Sequence, residues 1–419
     1  MREMKDSGIP WVGQIPDDWN IKRGKFVLKL LNRPVLDTDE VITCFRDGEV
    51  TLRRNRREDG FTVALKEIGY QGLEPGDLVI HGMDGFAGSI GISDSRGKSS
   101  PVLVVCDSDE NKRYIMYYLR AMAYNDVFTA LATGIRVRSC DLRWNKLSEL
   151  PYILPSIQEQ EQVVEAIESC TQNVNALIAN VQTQIEKLRA YKQSVITEVV
   201  TKGLDPTVPM KDSGVEWIGE IPAHWGVTRI KNVFELWNER NDEADLTKVN
   251  LISLYTDLGA VQHSDLTATT GNRAVTAEGY KIVRKHDIVV NIILCWMGAV
   301  GMSQYDGVTS PAYDIYRPLK DTNSEYYHYL FRTNRFNGEC YRYGRGIMMM
   351  RWRTYSTEFR AINIPCPPAE EQKKIVTHLN EKCNKIDQLI AIKQAKIEKL
   401  EQYKRSLIYE YVTGKREVC

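Results

Sequence analysis

The chain reads MKDSGIPWVGQIPDDW over residues 4–19 and MKDSGVEWIGEIPAHW over residues 210–225. A second echo lies near the end of each half, where IEKLRAYKQS at residues 185–194 returns as IEKLEQYKRS at residues 397–406. The first pair of stretches is offset by 206 positions (210 − 4), whereas solenoid units repeat every ~20–50 residues. The pattern therefore predicts two domain-sized copies in one polypeptide, an arrangement that can form a pseudo-dimer.

Each half closes with the pattern of a long helix. Residues 156–202 contain neither proline nor glycine, and Ser156 begins a capping box behind Pro155. Gly203 and Gly414 are the predicted stop signals, and a Pro-Pro pair at 367–368 stands near the first turn of the second helix. In the first helix apolar residues recur at steps of three, four and seven, as in a coiled-coil seam, and the second helix carries a similar series. They are Val163, Ile167, Val174, Leu177, Val181, Ile185, Leu188, Val195 and Val199, then Ile375, Leu379, Ile386, Leu389, Ile397, Leu400, Tyr403, Leu407 and Tyr411.

One isolated amphipathic helix of this length has nowhere to bury its apolar stripe, but two helices can bury theirs against each other. We therefore predict an intramolecular antiparallel pair. The alternative is that each seam pairs with another chain.

Short apolar runs broken by glycine, asparagine and aspartate fill the rest of each half. GDLVIH at residues 76–81 matches DIVVN at 287–291, and GSIGIS at 88–93 matches GAVGMS at 298–303. Such runs predict short strands with tight turns, whereas residues 114–132 and 324–336 have a helical pattern. Each copy is therefore predicted to be a mixed α and β domain with a small, strongly bent sheet.

The predicted fold class is α+β, with two mixed α/β domains joined and separated by two long antiparallel coiled-coil helices in a pseudo-two-fold repeat. The predicted segments are a first domain at 1–150 (opening segment 1–19), a first helix at 151–206, a second domain at 207–361 (opening segment 207–225) and a second helix at 362–419. Outside the matching frames the copies diverge, since LRRNRR at 52–57 has no counterpart around 267–274. Two similar scaffolds with different surfaces suit a protein that recognises two different halves of one target.

Composition limits the class of protein. The 419 residues carry 55 Lys plus Arg and 55 Asp plus Glu, so the formal net charge is zero. A chain that grips nucleic acid alone usually carries a basic excess, so DNA binding would need locally concentrated positive charge or a partner that supplies the rest. The nine cysteines include no CxxC pair, and neither a membrane span nor a signal pattern is evident. We expect a cytoplasmic protein with reduced thiols and without a structural metal.

Familiar catalytic patterns are missing from the sequence. It contains no G-x-x-x-x-G-K-[ST] phosphate loop, no H-E-x-x-H and no G-x-S-x-G elbow. Nor does it contain an Asn-Pro-Pro-Phe or Asp-Pro-Pro-Tyr tetrapeptide of the kind adenine methyltransferases use. The expectation is that the chain has no catalytic residues of its own.

What remains is local positive charge with interleaved aromatic residues. Arginine forks suit guanine O6/N7 and phosphate oxygens, and aromatic faces add contact area. The alternative for any one of these residues is a solvated charged loop. The DNA-binding candidates are Arg53, Arg54, Arg56, Arg57, Arg136 and Arg138 in the first domain, and Arg342, Tyr343, Arg345, Arg351, Trp352 and Arg353 in the second.

The order of these parts resembles the specificity (S) subunit of type I restriction–modification systems over nearly the whole chain. The resemblance rests on Gly8-x-x-Trp11-x-Gly13-x-Ile15-Pro16-x-x-Trp19 and its repeat. It rests also on the Asp-Leu-Val or Asp-Ile-Val run followed by Gly-x-x-Gly, and on SPAY at 310–313, where the first copy has Val102 and Leu103 instead of Ala312 and Tyr313. The last element is Ile364-Pro365-x-Pro367-Pro368-x-x-Glu371-Gln372, echoed by Leu154-Pro155-x-x-x-x-x-Glu161-Gln162.

The resemblance implies a non-catalytic reader of double-stranded DNA. In that family each variable domain is a target recognition domain for one half of an asymmetric bipartite site, and the helices set the gap. Two methyltransferase (modification) subunits dock on the shared parts and bring S-adenosylmethionine, and restriction/translocase subunits bring ATP and Mg chemistry. The expected partner-binding residues are Trp11, Trp19, Trp217, Trp225, Glu161, Gln162, Glu371 and Gln372.

Two other functions fit the same order of segments. One is a coiled-coil adaptor whose globular ends bind proteins, and the other is a stand-alone two-headed DNA-binding regulator. Co-purification with a methyltransferase and methylation at one bipartite motif would separate the first function from both. The recognised bases cannot be derived from local composition, because reading them depends on side-chain orientation in the groove.

Overall fold

The computed structural model describes residues 2–56, 67–130, 142–265, 276–346 and 352–418. Contacts divide the chain into two compact units. Unit 1 comprises Met1–Gln182 and Gln394–Cys419, and unit 2 comprises Thr183–Lys393. Each unit thus combines a globular part with one segment from each of two long helices.

Unit 1 is built from short strands and from helices of very different length. A strand that is covered on both faces is apolar at successive residues, and residues 78–80 and 103–106 have this composition. The strands are β1 (Met4–Asp6), β2 (Gln14–Pro16), β3 (Asn20–Arg23), β4 (Lys29–Leu30), β5 (Ile42–Cys44), β6 (Val50–Leu52), β7 (Gln71–Leu73), β8 (Leu78–His81), β9 (Ile90–Ile92), β10 (Gly97–Ser99), β11 (Leu103–Asp107) and β12 (Pro151–Leu154). The helices are α1 (Lys112–Tyr124), α2 (Val127–Ala130), α3 (Trp144–Leu147) and α4 (Ile157–Lys202), which continues into unit 2.

The central sheet of unit 1 has the order β4-β11-β8-β9 and is antiparallel throughout. Leu78 and Ile80 of β8 face the side covered by α1, whereas Val79 faces the β5–β6 hairpin together with Val105. This division follows from the two-residue period of a strand. The hairpin and the helix thus cover opposite faces of one sheet.

Unit 2 repeats this order of elements with different lengths. Its strands are β13 (Met210–Asp212), β14 (Glu220–Pro222), β15 (Gly226–Arg229), β16 (Phe234–Trp237), β17 (Ile252–Tyr255), β18 (Gly259–Gln262), β19 (Lys281–Val283), β20 (Ile288–Asn291), β21 (Val300–Met302), β22 (Gly307–Thr309), β23 (Tyr313–Pro318) and β24 (Asn363–Cys366). Its helices are α5 (Ser324–Phe331), α6 (Asn334–Tyr343), α7 (Ser356–Ala361) and α8 (Ala369–Val412), which continues into unit 1.

The central sheet of unit 2 has the order β16-β23-β20-β21. Ile288 and Val290 face the aromatic-rich core beneath α5 and α6, whereas Val289 faces the β17–β18 hairpin. β20 therefore has the same alternation as β8, with two residues facing the helices and the residue between them facing the hairpin. Mixed helix and strand content of this kind is an α+β fold.

The two opening segments each form a small antiparallel hairpin. Lys5 lies opposite Ile15 in the β1–β2 pair, and Lys211 lies opposite Ile221 in the β13–β14 pair. Gly13 and Gly219 both adopt left-handed backbone, with φ of 72° and 74°, a conformation that favours glycine at a tight turn. The repeated glycine spacing of the motif is therefore explained by turn geometry.

The long helices begin and end where their capping signals predict. The backbone N–H of Glu159 donates to the Ser156 hydroxyl over 3.3 Å, just before the first turn of α4. Gly203 follows the last residue of α4 with φ of 76°, and Gly414 follows the end of α8 with φ of 68°. A left-handed glycine is a common helix terminator.

Within unit 1, the first part of α4 packs against the last part of α8 in antiparallel fashion. Val174 and Ile178 share one buried cluster with Leu407 and Tyr411. At the surface of this contact, the Lys404 ammonium donates to Asn175 Oδ1 over 2.8 Å.

Within unit 2, the last part of α4 packs against the first part of α8. Val199 and Val200 share a buried cluster with Ile375 and Leu379. The Lys192 ammonium lies 2.6 Å from Asp387, which pairs the two helices at the surface. No helix in the described ranges combines the length and apolar character that crossing a bilayer would require.

Three positions of the two predicted seams are wrong. Leu177 is 52% exposed, and its neighbour Ile178 is 7% exposed and lies in the core. Leu389 and Tyr403 of the second predicted seam are likewise exposed, at 48% and 51%. An α-helix has 3.6 residues per turn, so a pattern of three- and four-residue steps fits two adjacent faces of the helix. The sequence pattern alone therefore cannot decide which of two neighbouring apolar residues is buried.

Candidate nucleic-acid interface

The first arginine cluster lies at the end of the β5–β6 hairpin. Arg53 and Arg54 fall in a 3-10 turn at Arg53–Asn55, immediately after β6. The Arg53 Nε donates to the Thr43 hydroxyl over 3.3 Å, and Arg54 pairs with Glu40. The hairpin therefore holds these two side chains at its outer edge.

Arg56 is held from two sides. Its Nη1 lies 2.7 Å from Asp47 and 3.2 Å from Glu49, and its guanidinium lies 4.2 Å from the centre of the Phe45 ring. Arg46, which sequence reasoning missed, pairs with Asp84 over 3.1 Å. The missed signal was Arg46-Asp47-Gly48-Glu49, a charged hairpin turn placed beside the arginine run.

The second candidate cluster follows α6. The Arg342 guanidinium donates to both carboxylate oxygens of Glu339, over 2.9 and 2.6 Å. Arg345 and Arg353 exchange backbone hydrogen bonds of 2.8 and 3.0 Å, and Arg345 also pairs with Glu358 over 3.3 Å. The structure therefore brings Arg345 and Arg353 together.

Aromatic rings lie beside this arginine bridge. Trp352 stacks on Tyr341 with ring centres 4.9 Å apart and planes 20° apart, and its Nε1 donates to the Tyr341 carbonyl oxygen over 2.9 Å. Trp296 also contacts Tyr341, edge-on, with ring centres 5.7 Å apart. Tyr343 lies under the Arg342 guanidinium at 5.3 Å. Trp296 was not predicted, because its position follows from the turn after β20 rather than from the sequence near α6.

Four of the DNA-binding candidates lie outside the described residues. They are Arg57, Arg136, Arg138 and Arg351.

The tryptophans that end the opening segments are structural. Trp19 and Trp225 are each 1% exposed. The Trp19 Nε1 donates to Glu159 over 3.1 Å, and the Trp225 Nε1 donates to Glu371 over 2.9 Å. Because both rings are buried, they leave no surface for a partner, and the expectation that they contact one is corrected to a role in fixing the opening segment to the helix start.

The glutamate of the first copy that matches Glu371 is Glu159, not Glu161. The side chain of Gln160 donates to the Pro155 carbonyl over 3.0 Å, just as Gln372 donates to Pro367 over 2.9 Å. The predicted match of Glu161 and Gln162 to Glu371 and Gln372 is therefore wrong by two residues.

The tertiary contacts agree with this alignment. The Gln160 Oε1 accepts from the Asn111 backbone N–H over 2.9 Å, and the Gln372 Oε1 accepts from the Asn323 backbone N–H over 3.0 Å. Glu161 and Gln162 point to solvent on the exposed side of α4. Glu159, Gln160, Glu371 and Gln372 thus fix the start of each long helix.

Trp11 and Trp217 are partly exposed. Trp11 packs against Tyr118 at 5.6 Å, and Trp217 packs against Phe336 at 5.7 Å while its Nε1 donates to the Asn363 carbonyl over 3.1 Å. They are the predicted partner-binding tryptophans that retain accessible surface, and their contact with a partner stays a prediction.

Titratable groups buried in the cores serve packing. Burial raises the pKa of the Cys106 thiol to about 12 and raises the pKa of the Cys44 thiol further still, and a protonated thiol is a poor nucleophile. Within the described ranges, no group of three or more His, Cys, Asp or Glu side chains is placed to hold a metal ion. The chemistry available at the two arginine clusters is hydrogen bonding, ion pairing and stacking.

Known proteins resemble this chain in sequence. Residues 222–402 match the family model for the type I restriction modification DNA specificity domain. A Methanocaldococcus jannaschii protein assigned as the specificity subunit of the type I restriction enzyme MjaX is 23% identical over 432 residues, covering 97% of this chain and 96% of the relative. The MjaVIII specificity subunit of the same organism is 23% identical over 434 residues, covering 97% of this chain and 94% of that subunit.

A solved structure shares the fold. A chain from a structural study of complex assembly and conformational transition in a type I restriction–modification system superposes with a TM-score of 0.68 at 13% identity, covering 96% of this chain and 99% of that one. Residues 222–402 thus match the DNA specificity domain of type I restriction–modification systems. Over 97% of its length the chain is similar in sequence to specificity (S) subunits of these systems.

Proposed function

We propose that this chain is the sequence-reading subunit of a type I restriction–modification complex, and that each unit reads one half of an asymmetric bipartite DNA site. One observation carries the proposal. The two units share a sheet order and a hairpin position, yet the side chains at the hairpin ends and beside α6 differ. Similar frames with different surfaces suit two unequal half-sites.

The DNA contacts proposed for each half are its arginine and aromatic clusters. In unit 1 these include Arg53, Arg54 and Arg56 at the hairpin end, and in unit 2 they are the residues around the Arg345–Arg353 bridge. Many of these side chains already pair with carboxylates, which limits attraction to phosphate but leaves directional donors for base edges. The candidates outside the described residues stay predictions.

The two long helices are proposed to set the gap between half-sites and to dock two methyltransferase subunits. The exposed apolar side chains of α8 support a docking role, because Leu389 is 48% and Ile392 is 65% exposed and residues three apart lie on one helix face. Neighbouring apolar side chains on an exposed surface favour a protein contact. The exposed part of Trp11 in the opening segment of unit 1, and that of Trp217 in the opening segment of unit 2, are further proposed contacts.

Chemistry is proposed to reside on partner subunits. S-adenosylmethionine would be held by the methyltransferase subunits, and ATP and Mg by restriction/translocase subunits. A net charge of zero fits a reader whose partners supply much of the phosphate grip, since that grip scales with the number of phosphates neutralised.

The test is methylation mapping in cells that carry the complete system. With this chain present, methylation is expected at one asymmetric bipartite motif, and deletion of the gene should abolish it. Replacing residues 20–150 by the same segment of another specificity subunit should change one half of the motif and leave the other half intact. Methylation that ignores this replacement, or a purified complex that protects no defined sequence, would refute the proposal.

A further inference from the structure

A cavity of about 750 Å³ opens in unit 1 between the β5–β6 hairpin and the end of β8. It is distinct in composition from the apolar cores, since charged and polar side chains line most of its accessible wall. Its lining includes Phe45, Arg46, Arg53, Arg56, His81 and Ser89.

The arginines of this cavity are held in place by other side chains. One Nη of Arg46 contacts Asp84 at 3.1 Å, and one Nη of Arg56 contacts Asp47 at 2.7 Å. Arg53 is held through its Nε by the Thr43 hydroxyl at 3.3 Å. An arginine fixed in this way loses less conformational freedom when a ligand binds, so its donors are pre-organised.

Two neutral groups add hydrogen-bonding capacity. His81 Nδ1 accepts from the backbone N–H of Met83 at 3.3 Å and of Asp84 at 2.9 Å, which places the ring proton on Nε2 as a donor. Burial lowers the pKa of His81, so the ring is neutral near pH 7. Ser89 is 1% exposed, and among the described residues its hydroxyl has no hydrogen-bond partner. A buried unpaired hydroxyl costs free energy unless a ligand satisfies it.

The corresponding position of unit 2 shows that these groups are not required by the fold. The backbone N–H of His81 donates to the Ser89 carbonyl over 3.0 Å, and the Asn291 N–H donates to the Ala299 carbonyl over 3.0 Å. Asn291 and Ala299 thus stand where unit 1 has the imidazole and the unpaired hydroxyl.

The Arg46–Asp84 pair is also replaced at the corresponding positions of unit 2. Asp84 and Leu294 both accept from the backbone N–H five residues later, so Leu294 replaces the carboxylate that holds Arg46. At the hairpin, the N–H groups of Arg53 and His263 donate to Val41 and Leu251 over 2.9 and 2.8 Å, so His263 replaces Arg53. Hairpin register then places Thr256 at the position of Arg46.

The mixture of groups identifies the class of ligand. A phosphate site would be weakened by the carboxylates of Asp47 and Asp84, which line the same cavity as the arginines. A guanine presents two adjacent acceptors, O6 and N7, in the major groove, and its paired cytosine presents an amino donor. Arginine donors beside aspartate acceptors complement such a base pair.

We propose that this cavity binds the major-groove edge of a guanine in the half-site read by unit 1, with Arg46 and Arg53 as its specificity-determining residues. This inference rests on the proposed function. It also requires that unit 2, which has Thr256 and His263 at these positions, reads a different base at the corresponding place in its half-site.

The test is selection from a randomised duplex library by the full chain in complex with its methyltransferase subunits. R46K and R53K keep the positive charge but lose the planar fork. Each is expected to reduce the preference for guanine at one position of one half-site by about 10- to 100-fold, with the other half-site unchanged. Arg23→Lys is the matched control, because Arg23 lies in β3 of the same unit and pairs with Glu149 over 2.8 Å, outside the cavity.

Each result has a distinct meaning. If the wild-type complex selects no sequence, the proposed function itself fails. If the wild-type complex selects a bipartite site and R46K and R53K retain the guanine preference, lose affinity equally for all sequences, or change a position other than guanine, the cavity assignment fails alone. The thermal unfolding midpoints of wild type and variants should be equal, so that a changed base preference reflects recognition and not a loss of folding.

Discussion

At the start of each long helix, one glutamate side chain binds residues of the opening segment of the same unit. Glu159 accepts from the Trp19 indole and pairs with Arg2 of the opening segment, and its side chain is 19% exposed. Glu371 accepts from the Trp225 indole at 2.9 Å and from His224 at 2.8 Å. Hydrogen bonds to a charged group are stronger than neutral ones. These carboxylates therefore stabilise the contact between opening segment and helix start.

At the residue scale, Glu159→Ala is expected to destabilise unit 1 by about 1–3 kcal/mol, because the buried Trp19 N–H loses a charged acceptor. Glu161→Ala, two residues further along the same helix, is expected to stay within about 0.5 kcal/mol, because Glu161 is exposed. Urea unfolding followed by tryptophan fluorescence measures both variants. Equal losses for the two would contradict the structural match between Glu159 and Glu371.

The sequence could not distinguish these two glutamates. Residues 156–162 read SIQEQEQ and so contain two Glu-Gln pairs, and either can be aligned with the single pair at 371–372. The choice is made by contacts distant in sequence, in which Gln160 reaches the backbone of Asn111 and Glu159 reaches Trp19. The arginine clusters were evident from composition, but their partners Glu40, Asp47 and Asp84 come from the hairpin and from the turn after β8.

At the scale of elements, local signals were sufficient for the long helices and insufficient for the short strands. A serine cap and a left-handed glycine mark the ends of α4 at Ile157–Lys202, inside the segment 151–206 predicted for this helix, whose first residues form β12 instead. Apolar runs predicted β8 and β20, but the two-residue β4, exposed at both positions, carries no apolar signal and is defined by its pairing with β11. Strand pairing of this kind depends on context more than helix formation does.

The buried stripe of α4 gives a prediction at this scale. Ile178→Ala is expected to cost about 2–5 kcal/mol, since it creates a cavity in the cluster that includes Leu407. Leu177→Ala, which truncates the adjacent and half-exposed side chain, is expected to change stability by less than about 0.5 kcal/mol. Circular dichroism during urea unfolding measures the difference. A larger loss for Leu177→Ala would restore the seam first predicted from the sequence.

At the scale of the whole molecule, duplication separates what is shared from what differs. Both units keep the hairpin of the opening segment, the carboxylate–indole contact and the order of the central sheet. They differ at the cavity beside β8, where Arg46 and Asp84 correspond to Thr256 and Leu294. Under the proposed function, a scaffold that tolerates this exchange could change one half-site without altering the other.

Helix length gives the last prediction, which rests on the proposed spacer role. Removing residues 185–191 and residues 388–394 together deletes one heptad from each helix and keeps the contacts Lys192–Asp387 and Asn175–Lys404. Seven residues span about 10 Å of helix, which corresponds to about three base pairs at ~3.4 Å each. The permitted gap is therefore expected to shorten by about three base pairs, while the bases of both half-sites stay the same. Selection from a library with randomised gap length measures this change in the permitted gap.

Deleting only residues 185–191 is the control, because it mismatches the helices and should reduce binding at every gap. A paired deletion that is fully active at the original gap would show that the helices do not set the spacing.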